Sequence, residues 1–194
     1  FDLFPLDRRL FMNDLEAASY GIIARFIKGS LPKIFAPLWC SDPDSPILTN
    51  LDGSSLVLWL GAGFSGSFIS RKDSADYNCV VSSEAGHAQV YSVPPWDPSF
   101  EKEKKFISFV SQKLHGEVHQ PEWEDFCGHR GLELAYQFIK LQAGKEMRQP
   151  VRYDEIRNRA LAGDAEAMEA FKIHYTFIIR AAQSMVLTVS CKRV

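Results

Sequence analysis

Leu56-Val57-Leu58-Trp59-Leu60 is an unbroken apolar run that ends in Gly61-Ala62-Gly63-Phe64-Ser65-Gly66-Ser67 and resumes at Phe68-Ile69. Five apolar residues without polar alternation predict a strand buried on both faces. The glycines that follow predict a tight turn whose backbone other groups can approach closely. Strand, glycine-rich turn and strand also fit a phosphate cradle, because converging backbone N–H groups bind an anion. The turn lacks the Gly-Lys-Ser/Thr ending of a P-loop, so that nucleotide fold is not expected.

Around this unit the patterns alternate between strand and helix, and the expected fold class is α/β. Strands are predicted near 56–60, 66–70, 77–81 and 88–93, sharing one sheet; that shared sheet is the condition the fold has to meet. Arg9-Leu10-Phe11-Met12 is a further short apolar run, stopped by Asn13-Asp14. Either residue is a good N-cap for the helix that follows, whose stripe reads Leu15, Ala18, Ile22, Phe26 and Ile27 up to Gly29. Ser99 is expected to cap a helix reaching about Leu114, with Glu101 to Lys105 as its solvated face. Glu122 to Cys127 reads as one or two helical turns, followed by a helix burying Leu132, Ala135, Tyr136 and Ile139. Tyr153 to Leu161 is a short helix. Asp164 then caps a long one, with its stripe at Ala165, Met168, Phe171, Tyr175, Ile178, Ala182, Met185 and Val189.

Ser83-Glu84-Ala85-Gly86-His87 lies between two of the predicted strands. Glu84 and His87 flank a small residue and a glycine, so a tight turn can aim both side chains into one cavity. A carboxylate that accepts and an imidazole that donates or accepts suit a polyhydroxylated ligand such as a sugar. Taken alone, the same five residues also fit a polar surface turn.

Composition excludes more than it proposes. A net charge of −2 and a pI near 6.2 give no electrostatic footprint for nucleic acid or an anionic membrane. No apolar run approaches the roughly 20 residues a spanning helix needs. Cys40, Cys79, Cys127 and Cys191 show no CxxC spacing. Reduced thiols in a cytosol-like, cytoplasmic compartment are therefore expected, with no disulfide framework and no metal. Cys127-Gly128-His129 is too sparse for structural zinc. The chain starts at Phe1 and is expected to be an internal piece of something longer.

Taken together, Leu10-Phe11-Met12-Asn13-Asp14, Gly61-Ala62-Gly63, Ser83-Glu84-Ala85-Gly86-His87, Glu124 before Gly131-Leu132, and Arg157-Asn158-Arg159-Ala160-Leu161-Ala162 resemble the bacterial-type glucokinases of the actin and hexokinase ATPase superfamily. The resemblance implies a two-lobed, ribonuclease H-like sugar kinase, with residues 1–24 ending the small lobe and hinge and 25–194 forming an incomplete large lobe. It implies ATP-dependent phosphorylation of glucose at the 6-hydroxyl, with Mg²⁺. Asp14 would be the general base. Asn13, Glu84, His87 and Glu124 would hold the sugar, and Gly61, Gly63 and Ser65 would meet the ATP phosphates. Two positions depart from the family: Phe64 stands where it has Thr and Ser67 where it has the last Gly of the phosphate turn. Its first phosphate motif and its adenosine-side Gly-Gly motif are not found in these 194 residues. The alternative is a catalytically incomplete module that binds a sugar or a protein partner. A homodimer is left open.

Overall fold

A computed structural model describes residues 12–29, 53–71, 78–145, 147, 149–191 and 194. Arg9 to Phe11 of the short apolar run before Asn13, and Cys40, lie outside the described residues. The elements are α1 (Asp14–Ile27), β1 (Ser54–Leu60), β2 (Phe64–Arg71), β3 (Asn78–Ser83), a 3-10 turn (Ala85–His87), α2 (Phe100–His115), α3 (Trp123–Cys127), α4 (His129–Gln142), α5 (Tyr153–Leu161) and α6 (Ala165–Val189). The strands form one sheet in the order β1-β2-β3; β1 is not buried on both faces as expected, since Trp59 and Leu60 at its end are exposed. Only three residues join β1 to β2, too few for a crossover, so this pair is antiparallel.

The fourth predicted strand does not join the sheet, so the condition that all four share one is not met, and the α/β class rests on three strands and the helices around them. After β3 the 3-10 turn redirects the chain. Gln89 then makes an isolated antiparallel bridge with Glu122. The Val90 N–H donates to the Pro121 carbonyl at 2.9 Å and the Trp123 N–H to the Ala88 carbonyl at 3.1 Å. Residues 88–90 thus satisfy backbone groups against the entry to α3, an alternative to sheet pairing that periodicity does not reveal.

The chain divides into two compact units, Phe1–Val57 with Ser67–Ser83 and Val189–Val194, and Leu58–Gly66 with Glu84–Thr188. In the first, α1 packs on β3. Ile23, Ile69 and Val80 form its core, flanked by Ile22, Phe26 and Val57. The buried face of α1 is Leu15, Ser19 and Ile23, whereas Ala18 and Ile27 face solvent. That is one position off the predicted stripe, because Ser19 is fully buried and hydrogen-bonds the equally buried Ser67 hydroxyl of β2.

In the second unit an aromatic core joins α2, α3, α4 and α6. Phe126 and Phe177 stack at 4.4 Å, and Phe106 meets Phe126, Phe138 and Phe177 at 5.2–5.7 Å. On α4 the buried set also takes in Leu134 and Phe138, while predicted Ile139 is only half-buried. The α6 face that packs is Ala167, Ala170, His174, Phe177, Ile178, Ala181 and Met185; Ile178 and Met185 were expected there, whereas predicted Met168 and Tyr175 are exposed. Asp164 caps α6 as expected, accepting the Ala167 N–H at 2.9 Å. Ser99 precedes α2 but makes no cap bond; its hydroxyl donates instead to Asp97 at 2.6 Å. Glu103, expected among solvated charges, is buried and ion-paired with Arg180.

His174 gives this core a pH dependence. Its Nδ1–H donates to the Phe126 carbonyl at 2.8 Å. Burial pulls the imidazole down from 6.5 to about 4, partly offset by that hydrogen bond. The folded pKa lies below the unfolded one, so between those values the unfolded chain takes up a proton that the folded chain refuses. Stability therefore falls as the pH drops from 6.5 towards 4, by up to about 3 kcal/mol. Urea unfolding at pH 7 and pH 4.5 should show a smaller drop for His174→Gln, which can still donate to Phe126, than for the wild type.

Candidate functional site

The 3-10 turn Ala85–His87 is held against the start of β2 at Gly86. A Cβ on Gly86 would run into the backbone carbonyl of Phe64, so only glycine permits this approach. The requirement is contact rather than unusual dihedral angles, since Gly86 is not among the positive-φ residues. Gly86→Ala should cost about 1–3 kcal/mol by overpacking and should displace Glu84 and His87 together. Thermal unfolding and sugar titration of that variant measure both effects.

His87 sits among three carboxylates. Its Nδ1 is 2.7 Å from Glu122 Oε2, and its Nε2 is 3.9 Å from Glu84 Oε2. A carboxylate can only accept, so Nδ1 carries the proton in the shorter contact. The Glu122 hydrogen bond raises the His87 pKa above 6.5, opposed by slight burial and assisted by the charges of Glu122, Glu124 and Glu84. Glu84 and Glu122 are partly or largely exposed, as a site that has to admit a ligand requires.

Glu124, in the first turn of α3, reaches back to the glycine turn. Its Oε2 accepts the Phe64 N–H at 3.2 Å. A Cβ on Gly63 would lie 2.7 Å from the same oxygen, so a larger residue there would push the Glu124 carboxylate from its place. The Gly61 N–H donates to the Gly63 carbonyl at 3.1 Å, and the Gly61 carbonyl accepts the His129 N–H at 2.9 Å. An anion meeting this turn would approach from exposed Ala62 rather than from the side of Gly63, where Glu124 would repel it.

The structure thus brings Glu84, His87, Glu124, Gly61 and Gly63 into one neighbourhood of the second unit. Asn13 and Asp14 belong to the first, where both are exposed at the start of α1. Asn13 Oδ1 and Asp14 Oδ1 each accept the Leu15 N–H, at 2.9 and 2.8 Å. Ser65 is half-buried within β2, one residue beyond buried Phe64, and Ser67 is taken up by its bond to Ser19. Sequence reasoning missed Glu122. Its only signal is a carboxylate two positions before Glu124, which nothing local connects to a histidine 35 residues earlier. Among the described residues no cluster of three or more His, Cys, Asp or Glu is arranged to hold a metal, and no helix is long and apolar enough to cross a membrane.

Acidic groups and a histidine thus gather beside a glycine turn in an α/β chain, and comparison with known proteins shows its family. The glucokinase family model matches residues 4–193, and the chain belongs to the glucokinase family. It is 34 % identical over 193 residues to probable glucokinase 2 and to glucokinase 1 of Trichomonas vaginalis, covering 98 % of this chain and 51 % of each relative. The crystal structure of glucokinase from Balamuthia mandrillaris in complex with glucose superposes with a TM-score of 0.86 at 26 % identity, over 97 % of this chain and 50 % of that one. The Leishmania braziliensis glucokinase shares the fold at a TM-score of 0.79 and 23 % identity, over 96 % and 49 %. The chain spans about half the length of the relatives it matches.

Proposed function

We propose that this chain is the sugar-recognising part of an ATP-dependent hexose kinase that transfers the γ-phosphoryl group of ATP to the 6-hydroxyl of glucose. The observation that carries this is the grouping of Glu84, His87 and Glu124, in a glucokinase-family chain, around a turn that only glycine at position 86 permits. The glucose held by the Balamuthia relative supports the same substrate. Glu84, His87, Glu124 and Asn13 would orient the sugar through directional hydrogen bonds, so that its reactive hydroxyl meets the phosphoryl group in line. Asp14 would accept the 6-hydroxyl proton as the new O–P bond forms and the bond to ADP breaks. Mg²⁺ carried on the ATP phosphates would neutralise their charge. The phosphates would be met at the Gly61–Gly63 turn and Ser65, on the face away from Glu124. Residues 1–24 would close the smaller lobe and hinge, with 25–194 belonging to the larger lobe. The free thiols of Cys79, Cys127 and Cys191 suit a cytosolic compartment.

A second outcome is favoured by one observation. The Gly61 and Phe64 amides are engaged within the chain, so the turn has fewer donors for phosphate than its glycines suggest. A sugar-binding module without phosphoryl transfer would then bind glucose and leave ATP unchanged. Calorimetric titration of glucose onto the wild type and Glu84→Ala tests the shared part. Loss of a charged hydrogen bond should weaken binding by about tenfold or more, and equal affinities would remove Glu84 from the site.

A further inference from the structure

The His87–Glu122 contact has no role in the sugar site outlined above, and stability does not account for it. The two side chains are 56 % and 41 % exposed, and exposed ion pairs contribute at most about 1 kcal/mol. Yet the backbone around Glu122 is held on several sides. The Glu122 N–H donates to Asp125 Oδ2 at 3.1 Å, and its carbonyl accepts the Asp125 N–H at 3.0 Å. Its neighbours Pro121 and Trp123 pair with Val90 and Ala88, and Glu122 itself bridges Gln89. Asp125 is fixed in turn by His115 Nε2 at 2.8 Å and Arg130 Nη2 at 2.7 Å. The Glu122 carboxylate takes part in this frame as well, closing a capping box with the Asp125 backbone N–H at the start of α3. The frame therefore presents that carboxylate at a set place, and what it meets there is His87 Nδ1.

We propose that Glu122 is a positioning residue for sugar recognition, whose carboxylate holds the Nδ1–H of His87 and so turns Nε2 towards Glu84 and the substrate. The inference rests on the hexose-kinase reading for the identity of the ligand, but not for the hold of Glu122 on the ring. In the neutral imidazole, Nδ1–H donated to Glu122 makes Nε2 the acceptor for a sugar hydroxyl; once protonated, both nitrogens donate. A single tautomer in a fixed orientation spares the sugar the cost of selecting one. The charged groups facing the ring are Glu84, Glu122 and Glu124, all of which favour its protonated form.

The test uses Glu122→Gln and Glu122→Asp beside the wild type, with two readouts. The first is ring-nitrogen NMR of His87 against pH, with no sugar present. The wild type should titrate above 6.5 and be Nδ1-protonated when neutral. Both variants should titrate nearer 6.5 and show mixed tautomers, since Gln carries no charge and Asp falls one methylene short. The second readout is glucose affinity at pH 7.5, expected to weaken about tenfold in both variants while their thermal unfolding stays near wild type. Asp keeps the negative charge at the start of α3, so glucose binding restored by Glu122→Asp would reduce Glu122 to a structural role and overturn the proposal. Unchanged His87 titration and tautomer in both variants would overturn it equally. A wild type that shows the ring behaviour but binds no glucose would overturn the hexose reading and, with it, the sugar role given to Glu122, while leaving its hold on His87 measured.

Discussion

Replacing Asp14 by Asn should lower kcat by about 10²–10⁴ while the KM for glucose changes far less. The assay belongs in a chain carried to the length of its relatives, at saturating ATP and with chemistry shown to be rate-limiting. Asn preserves size and still accepts a hydrogen bond, so the local structure gives it little reason to fail. Asp14 Oδ1 accepts the Leu15 N–H at 2.8 Å, which an amide oxygen can also do, and Asn13 already accepts that N–H at 2.9 Å. The helix start therefore survives, and what the variant gives up is the carboxylate that the proposed mechanism needs to accept a proton. Were Asp14 merely part of the α1 cap, both constants would stay near wild type. Retention of more than about a tenth of kcat would remove it as general base.

Arg180→Ala should destabilise the chain by about 3–5 kcal/mol. Arg180 lies 14 % exposed and Glu103 7 % exposed, joined Nη1 to Oε1. The Arg180 Nη2 also donates to the Tyr91 carbonyl at 2.5 Å, and its guanidinium lies 5.4–5.9 Å from the ring centroids of Tyr91, Trp123 and Phe177. Glu103 accepts the Val93 N–H at 2.9 Å, so the pair ties the irregular segment after residue 88 to α2 and α6. Removing the arginine leaves a buried carboxylate with one backbone donor, and the desolvation cost of that charge dominates. The double variant Glu103→Met with Arg180→Met should be less destabilised than Arg180→Ala, because no charge remains buried. Equal loss in both, read from urea unfolding, would show that packing rather than the unpaired charge sets the cost.

These two residues also mark where the sequence was legible and where it was not. Asp14 stands in a local pattern, an apolar run stopped by Asn-Asp and followed by a helix, and helix caps act within a few residues. The same locality made Gly29 readable as the end of α1, where it takes a positive φ. Asp164 as the cap of α6 and the extent of α5 were legible for that reason as well. Glu103 was misplaced because Glu101 to Lys105 looks uniformly solvated. Its partner is 77 residues away, and no rule over neighbouring positions can find it.

The one-residue rotations of α1 and α6 share a cause. Ser19 and His174 lie on the buried faces, satisfied by Ser67 and by the Phe126 carbonyl, while Ala167, Ala170 and Ala181 let α6 pack closely. A scale that rewards large apolar residues turns both helices towards Ile27, Met168 and Tyr175, which face water. The sequence by itself determined the helices, the first three strands, the caps at Asn13 and Asp164 and the family's acidic and histidine motifs, since each is written in adjacent residues. Only the tertiary structure decided that residues 88–90 pair with the entry to α3 and that Gly86 packs against the Phe64 carbonyl. It alone set Glu122 against His87, because hydrogen bonds and van der Waals contacts depend on distance in space, and the chain distances involved span tens of residues.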